Sequence, residues 1–358
     1  MAGDDLPPLD AYILDGMSKP KPRMELVKPA ALIESAESFI GRYEAVDYVV
    51  DGLLIRGYLY GITSRPNHGK TTVATTIGVH VANDRPIAGL EVSGGRVLFL
   101  YGENAENSRL MLIGALQHYK FDMAAIDIIS INFPMAAHVE QILAECDQEY
   151  ALVVVDSSAA YFSGANENDN VDAGQHARDL RRLTHIKGRP AVLVCCHPTK
   201  GADKESLMPR GGGAFLAELD TNLTLWTSDG SAELGHNKVR GPVVDTINFA
   251  LSVIPLQGYQ DRKNRPMSVP VALPMTEQQF MAAMRKSTEG DNRLLYQLLH
   301  HPDDSMSEWA TGCGLDAKTE KYKVQRALAR LIEEKLVQKK RGKCVLTADG
   351  EKEAKKVY

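Results

Sequence analysis

One short stretch of the chain has the residue types and spacing needed to hold a triphosphate. Residues 59–72 read LYGITSRPNHGKTT, an apolar run, a loop, and Gly-Lys-Thr-Thr opening a helical segment. Backbone N–H groups in such a loop surround phosphate oxygens, and the helix N-terminus adds favourable partial charge. Lys70 would reach the outer phosphates of ATP, and the Thr71 hydroxyl would hold Mg²⁺. The predicted nucleotide-binding residues are Ser64, Arg65, Pro66, Asn67, His68, Gly69, Lys70, Thr71 and Thr72.

Ser64 departs from the phosphate-loop pattern G-x-x-x-x-G-K-[ST]. It stands where the first Gly is expected, and serine is less free than glycine to adopt a positive φ. Gly61 lies just upstream and is a candidate for part of the turn. The alternative is an ordinary glycine-containing loop, but the apolar run before it and the helical segment after it favour the nucleotide site.

Two further apolar runs each end in a carboxylate. VLFLYGEN carries Glu103, and ALVVVDSS carries Asp156. Such runs are typical of buried parallel strands, whose carboxyl ends form the rim where α/β sheets bind ligands. Asp156 would support the Mg²⁺ shell, and Glu103 would take a proton from the attacking water or orient it. For Glu103 the alternative is a helix N-cap region, with Asn104 or Asn107 as the cap.

A third apolar run, PAVLVCCHPTK, ends in His197. A polar residue there would touch the γ-phosphate and sense hydrolysis, although a lone histidine is more often structural. The next segment contains Lys200, Lys204, Arg210 and three consecutive glycines. If subunits surround a central hole, this loop would grip a phosphodiester backbone. The alternative is a flexible surface loop.

Two cations near residue 240 form a separate candidate site. Lys238 and Arg240 are separated by one residue, so on a strand they lie on the same side and would together attract a phosphate. They are far from Lys70 in sequence. We therefore expect them to complete a neighbouring subunit's site, as an arginine finger does.

The amino-acid composition is that of a soluble globular protein. The chain has 358 residues, is 44% hydrophobic and 24% charged, and has a net charge of −5, as expected for a soluble globular protein that is not basic overall. Contact with nucleic acid must therefore come from local positive surface. The five cysteines lack metal-site spacing, which favours a reduced cytoplasmic setting. The N-terminus is not a signal peptide, and no apolar run reaches the length of about 18 residues needed to span a membrane.

The changes in pattern along the chain predict four segments. These are an N-terminal arm and helix (1–44), an α/β domain (45–255), a linker rich in Pro and polar residues (256–290) and a C-terminal module (291–358). Residues 1–30 are interpreted as an extended arm, which is either a disordered tail or a segment that packs on a neighbouring subunit. The helix after Lys70 is expected to be apolar along one face.

The C-terminal module has the pattern of three helices followed by a two-stranded wing. This resembles a winged-helix domain, a small α+β fold, at the level of pattern. Its third helix and wing are basic, and we expect Lys321, Lys340 and Arg341 to contact nucleic acid. The alternative is a module that packs against protein while its charges remain solvated.

The order of these motifs over residues 45–255 resembles the RecA-like hexameric helicase ATPases, especially DnaB-type replicative helicases and plasmid RepA-type helicases. RPNHGKTT is similar to their Walker A loop, YGEN to the strand end with the catalytic Glu, and LVVVDSS to Walker B. CCHPTK resembles the sensor strand, PRGGGAFLAELD the Arg-Gly-rich loop, and NKVRGP the Lys-x-Arg pair. Ser64 departs from this pattern, and the N-terminal part lacks the length of a DnaB helical domain.

The resemblance implies a RecA-like P-loop NTPase core with a mostly parallel central sheet. It implies catalytic roles for Lys70 and Glu103, with Lys238 and Arg240 acting in trans. It also implies Mg²⁺-ATP as the substrate, single-stranded DNA as a partner and a hexameric ring.

We therefore expect an ATP-dependent translocating helicase that acts in replication of a plasmid, phage or integrated element. A different class is a regulatory or defence ATPase that oligomerises with ATP without translocating. A third is a DNA-binding protein that uses ATP as a switch. If single-stranded DNA does not stimulate ATP hydrolysis and no strand is displaced, the first class is wrong.

Overall fold

The computed structural model describes residues 33–228, 230–242, 246–340 and 342–356, in two units that divide after Val46. The predicted arm over residues 1–30 and the predicted nucleic-acid ligand Arg341 lie outside the described residues. The described part of the first unit contains one short helix, α1 (Ala36–Gly41), whose first turn is capped by the Ser35 hydroxyl. None of the helices in the described ranges is both long and apolar enough to cross a lipid bilayer.

The second unit alternates strands and helices from Tyr48 to Glu218. In chain order its elements are β1 (Tyr48–Val50), β2 (Leu54–Ile55), β3 (Leu59–Thr63), α2 (Lys70–Ala82), β4 (Arg96–Tyr101), α3 (Ala105–Tyr119), β5 (Ile126–Ile129), α4 (Met135–Glu145), β6 (Tyr150–Asp156), α5 (Asn170–Arg181), β7 (Ala191–Cys196) and α6 (Gly212–Glu218). Short 3-10 turns follow β6 and α5. The strands then continue as β8 (Thr221–Ser228), β9 (Ser231–Val239), β10 (Ile247–Gln260) and β11 (Pro266–Met275).

Nine of these described strands form one mixed sheet in the order β11-β10-β9-β8-β3-β7-β6-β4-β5. The six from β8 to β5 are parallel, and β9, β10 and β11 are added antiparallel. Alternate residues of each central strand enter separate hydrophobic clusters, Phe99 on one side and Leu98 on the other. Helices cover both faces, so the central strands are apolar throughout rather than alternating. The predicted α/β fold with a mostly parallel sheet is confirmed.

The linker predicted for residues 256–290 is wrong, because these residues form the end of β10, all of β11 and the start of a helix. Pro266, Pro270 and Pro274 occur at every fourth position of β11, the strand at the edge of the sheet. At this spacing the three proline nitrogens all face the same edge of the strand. No other described strand pairs with β11 along its outer edge. Proline is tolerated there because no ladder hydrogen bond is lost.

Helix α2 is buried on all sides from Thr72 to Val81, so the prediction of a single apolar face is wrong. Strand β11 covers the side that would otherwise face solvent. The Thr76 hydroxyl donates to the Ala272 carbonyl of β11 at 3.2 Å, and the Thr75 hydroxyl lies 3.2 Å from the hydroxyl of Tyr101. These two threonines are therefore tolerated in a buried helix because each hydroxyl has a hydrogen-bond partner.

The C-terminal module contains α7 (Glu277–His300), α8 (Met306–Gly312), α9 (Lys321–Glu333), β12 (Val337–Lys340), β13 (Lys343–Leu346) and α10 (Ala348–Ala354). It has its own hydrophobic cluster, which includes Trp309 and Leu331. The first helix begins in the predicted linker and is longer than expected, with a capping box at Thr276 and Gln279. Lys321 opens α9, and Lys340 is exposed at the end of β12.

Candidate functional site

The loop between β3 and α2 has the backbone conformation that a phosphate cradle requires. Gly69, the N-cap of α2, has φ 78°, and Asn67 has φ 64°. Glycine adopts this left-handed region freely, and asparagine tolerates it. The backbone at Ser64 stays outside that region, so serine replaces the expected glycine without strain. Pro66 and Asn67 are exposed at the tip, whereas the buried Thr72 hydroxyl faces the sulfur of Met111 at 3.8 Å.

Lys70, Thr71 and Asp156 meet where strands β3, β6 and β7 end. The Lys70 Nζ is buried and donates to the Cys196 carbonyl at 3.1 Å. Asp156 is only 5% exposed; burial raises the pKa of its carboxyl, while the Thr71 hydroxyl and the Lys70 charge oppose that rise. A buried carboxylate beside a threonine hydroxyl is an oxygen donor set that suits Mg²⁺. The residues present therefore fit a metal-bound nucleotide.

Glu103 and His197 form a pair at the same edge of the sheet. The His197 Nε2 lies 3.5 Å from a Glu103 carboxylate oxygen, and about half of the Glu103 side chain is exposed. Burial alone would raise the pKa of Glu103, but Ser157, His197 and Lys70 around it hold that pKa below its usual value. Burial and the Lys70 charge lower the pKa of His197. At neutral pH the pair is therefore an ionised carboxylate beside a neutral imidazole.

The side chains of Arg65 and His68 point away from the cradle and fasten the loop to β8. The Arg65 Nε donates to the Ala202 carbonyl at 2.7 Å, and its guanidinium lies 5.1 Å from the centre of the Trp226 ring. The His68 Nδ1 accepts from the Thr227 N–H at 3.1 Å, and its imidazole packs edge-on against Trp226. The Arg65 and His68 side chains are therefore engaged by the protein itself, and the His68 N–H donates to the Arg65 carbonyl at 3.3 Å. Sequence reasoning missed Trp226, and no local pattern marks it.

The predicted nucleic-acid residues after β7 differ in their surroundings. Lys204 pairs with Glu233 at 3.0 Å, and Arg210 pairs with Glu167 at 3.0 Å. Lys200 is exposed, and its ammonium forms no ion pair or hydrogen bond with another described residue. A phosphate would have to displace a carboxylate to reach Lys204 or Arg210, but not to reach Lys200.

Lys238 and Arg240 lie at the opposite end of the sheet from Lys70. Arg240 follows the end of β9, so the two cations do not share a strand face as predicted. The Arg240 N–H donates to the Asp220 carbonyl at 2.7 Å, and the Asp220 N–H donates to the carbonyl of Leu59, the first residue of β3. The Arg240 side chain is exposed, whereas the Lys238 ammonium contacts the last carbonyl groups of α6.

Sequence reasoning also missed Asn222, a fully buried residue of β8. Its side-chain oxygen accepts from the hydroxyl of Thr63, the last residue of β3, at 2.8 Å. Its Nδ2 donates to the Asn237 Oδ1 at 2.7 Å and to the Leu207 carbonyl at 3.3 Å. An asparagine inside a strand is the available sequence signal, because strands are depleted in this residue.

The chain resembles known proteins at the level of a domain family. Among solved structures, one that is described as an ATPase domain matches with 14% identity over 60% of this chain and 91% of that chain, with a TM-score of 0.42. No protein of curated function matches the sequence. The family described as an AAA domain matches residues 24–203, half of the chain, and the protein therefore belongs to that family of ATPase domains.

Proposed function

We propose that this protein is an ATP-dependent translocating helicase that hydrolyses ATP at the subunit interfaces of a ring, which the motif order indicates is a hexamer. Its proposed role is DNA replication of a plasmid, phage or integrated element. The observation that carries the proposal is the position of Arg240. This exposed cation lies beside the start of β3, while the phosphate loop follows the end of the same strand.

The separation of the two ends supports action in trans. From Leu59 to Thr63, β3 alone extends roughly 13 Å at the usual rise per residue. The Arg240 guanidinium forms no ion pair or hydrogen bond with another described residue. Arg240 lies at the opposite end of the strands from the phosphate loop, so it cannot reach a nucleotide that is bound to its own chain. A second copy that docks this surface against the phosphate loop would bring the cation to the reacting centre.

In the proposed mechanism, Lys70 exchanges its bond to the Cys196 carbonyl for one to the outer phosphates of ATP. Thr71 and Asp156 would hold Mg²⁺, which when bound neutralises charge on the phosphate oxygens. The ionised Glu103 accepts a proton from the attacking water, and the neutral His197 beside it holds the carboxylate in place. Arg240 of the neighbouring subunit stabilises the charge that develops in the transition state.

The proposed nucleic-acid partner is single-stranded DNA. Its candidate ligands in the described residues are the loop cations Lys200, Lys204 and Arg210, and Lys321 and Lys340 of the C-terminal module. The loop that carries these cations follows directly after β7 and His197, so movement of the loop would be coupled to the state of the nucleotide. Because the net charge is −5, binding depends on these local cations and should weaken with salt.

The test is the rate of ATP hydrolysis with and without single-stranded DNA, with particle mass measured in ATP and strand displacement followed on a forked duplex. The proposal predicts stimulation by single-stranded DNA, a ring-sized particle and displaced strand. Oligomers that form with ATP but are not stimulated by DNA and displace no strand would instead indicate a regulatory or defence ATPase. A chain that stays monomeric and hydrolyses no ATP would contradict both functions.

A further inference from the structure

The Lys238 side chain is already bound within its own subunit. Its Nζ donates to three carbonyl groups at the C-terminal end of α6, those of Leu216, Ala217 at 3.1 Å and Leu219 at 2.6 Å. The last carbonyls of a helix have no partner inside the helix, and they carry the negative end of its dipole. Lys238 therefore acts as a cationic cap that joins β9 to the end of α6.

The neighbouring residue makes a second attachment. The Asn237 Nδ2 donates to the Leu207 carbonyl at 2.7 Å, inside loop 199–211 that precedes α6. The same carbonyl also accepts from the buried Asn222 of β8. Two consecutive residues of β9 thus bind two points of one continuous segment, the loop and the helix that follows it. This segment contains the loop cations expected to contact DNA.

Charges of both signs surround Lys238, and its hydrogen bonds to the end of α6, rather than these charges, hold the ammonium in place. Burial and the Arg240 charge lower the pKa of Lys238, and Arg181 adds to this, while Asp220 and Glu218 raise it. Asp220 is itself bound by the Arg181 guanidinium at 2.9 Å and accepts from the Leu59 N–H at 2.8 Å. To reach another subunit's phosphates, Lys238 would have to leave all three carbonyl groups at the end of α6.

We propose that Lys238 and Asn237 are positioning residues within their own subunit, which fasten loop 199–211 and α6 to the strand that leads to Arg240. This replaces the trans role predicted for Lys238 and leaves Arg240 as the cation supplied to the neighbour. The consequence rests on the proposed function: when DNA shifts the loop, β9 and Arg240 shift with it. Nucleic acid bound by one subunit would thereby act on the hydrolytic site of the next.

The first test needs neither ATP nor DNA. Amide hydrogen exchange is measured on the full-length protein for wild type, Lys238→Met, Lys238→Arg and Arg240→Ala. Loss of the three charged hydrogen bonds should speed exchange of the α6 amides at least about tenfold in Lys238→Met. Lys238→Arg keeps cationic donors and should restore slow exchange, whereas Arg240→Ala should match wild type. If the α6 amides of Lys238→Met exchange at the wild-type rate, the proposal is wrong.

Asn237→Ala provides an independent variant should Lys238→Met fold poorly, a possibility checked by its melting temperature. It removes the bond to the Leu207 carbonyl, so exchange should increase in loop 199–211. No increase there would exclude the second attachment. Because these measurements do not depend on catalysis, they remain decisive even if the protein proves to hydrolyse no ATP, a result that would contradict only the proposed function.

Kinetics then separate positioning from general damage to the fold. Lys238→Met should raise the DNA concentration for half-maximal stimulation at least about fivefold while the KM for ATP stays within about twofold of wild type. Lys238→Arg should recover most of that loss. If mixing Lys238→Met subunits with Lys70→Ala subunits instead restores lost turnover, Lys238 acts on the neighbour's site and the proposal is wrong.

Discussion

The two ends of the parallel strands differ in how much of a catalytic site each provides within one chain. At the carboxyl ends, Lys70, Asp156, Glu103 and His197 come together from four strand–loop junctions and contact one another or shared neighbours. At the amino ends, Arg240 projects into solvent from a backbone fixed to Asp220. One end is assembled by folding, whereas the other displays a positioned cation that pairs with no other described residue.

This difference indicates which functions depend on assembly. Under the proposed mechanism, nucleotide binding would need only the carboxyl ends, because the loop conformation, the proposed metal-binding carboxylate and the lysine are all present in a single chain. Under the proposed mechanism, efficient hydrolysis would need both ends, so two copies would have to meet. A chain that binds ATP alone but hydrolyses it only when assembled is the behaviour expected from such a division.

The largest effect is expected from Arg240→Ala. Removing a cation supplied in trans should lower turnover on the order of 10³-fold while ATP binding persists. Lys70→Ala should abolish ATP hydrolysis at the variant's own phosphate loop, but the variant still carries Arg240. Mixing the two inactive variants should restore part of the activity, because some interfaces then combine an intact phosphate loop with an intact arginine. Turnover is measured across mixing ratios at constant total protein.

The mixing result is informative in both directions. Absence of recovery at every ratio, with mixed particles demonstrated by mass, would mean that Arg240 serves its own chain or is not catalytic. Arg240→Lys is the matched control, since it keeps the charge and loses the planar fork that a phosphate prefers. It should fall between wild type and Arg240→Ala.

The next largest effect is expected from Glu103→Gln, at the other end of the strands. The lowered pKa of Glu103 keeps it ionised at neutral pH, so the amide removes a proton acceptor of nearly the same shape. Turnover should fall on the order of 10²-fold while ATP-dependent oligomers still form. Unlike Arg240→Ala, this variant should gain nothing from Lys70→Ala subunits, because no interface then has an intact hydrolytic site. Recovery of turnover on mixing would mean that Glu103 acts at the site of another subunit.

Sequence patterns predicted the features that depend on residues near one another in the chain. The strand–loop–helix around Lys70 and the polar residue after each buried strand follow from local periodicity and from the geometry of parallel sheets. The pairing of Glu103 with His197 depends on strand order, which local pattern does not encode.

Long-range contacts account for what the sequence did not reveal. Residues 256–275 resemble a linker because prolines and polar residues are frequent there, although an edge strand tolerates both. Lys238 resembles a free cation in the sequence because nothing nearby in the chain shows that the end of α6 lies beside it. The side chains of Arg65 and His68 are likewise directed by Trp226, which is distant from both in the chain.

A smaller effect tests whether the carboxyl-end site is a preformed part of the fold. His176 on α5 is 1% exposed, its Nε2 donates to the Ser158 carbonyl at 3.1 Å, and burial lowers its pKa to about 4. Glu167 is the charged group that opposes this shift. In the unfolded chain His176 takes up a proton as the pH falls through about 6.5, whereas in the folded protein it does so only near pH 4. Stability from this group is therefore complete above pH 6.5 and lost as the pH falls toward 4.

His176→Gln removes this titration while keeping an amide donor for the Ser158 carbonyl. Between pH 7.5 and 5, wild type should lose about 2 kcal/mol of unfolding free energy that the variant does not lose. Urea unfolding at the two pH values measures this loss. Groups that titrate in both proteins contribute equally, so they cancel when the loss in the variant is subtracted from the loss in wild type. Equal losses would mean that His176 is accessible to protons in the folded state, and that the layer beneath the site opens readily.

The smallest effects concern the loop cations, which adjoin the carboxyl-end site and should respond to salt rather than to ATP. Lys200→Ala removes an exposed ammonium and should reduce the slope of log affinity against log salt for single-stranded DNA by about 0.7, the value for one phosphate contact. Lys204→Ala is the matched control: its ammonium already neutralises Glu233 at 3.0 Å, so the slope should change less. Because that pair is exposed, its loss should alter stability by no more than about 0.5 kcal/mol. A larger change in slope for Lys204 than for Lys200 would show that DNA displaces Glu233, and that the loop reorganises when it binds.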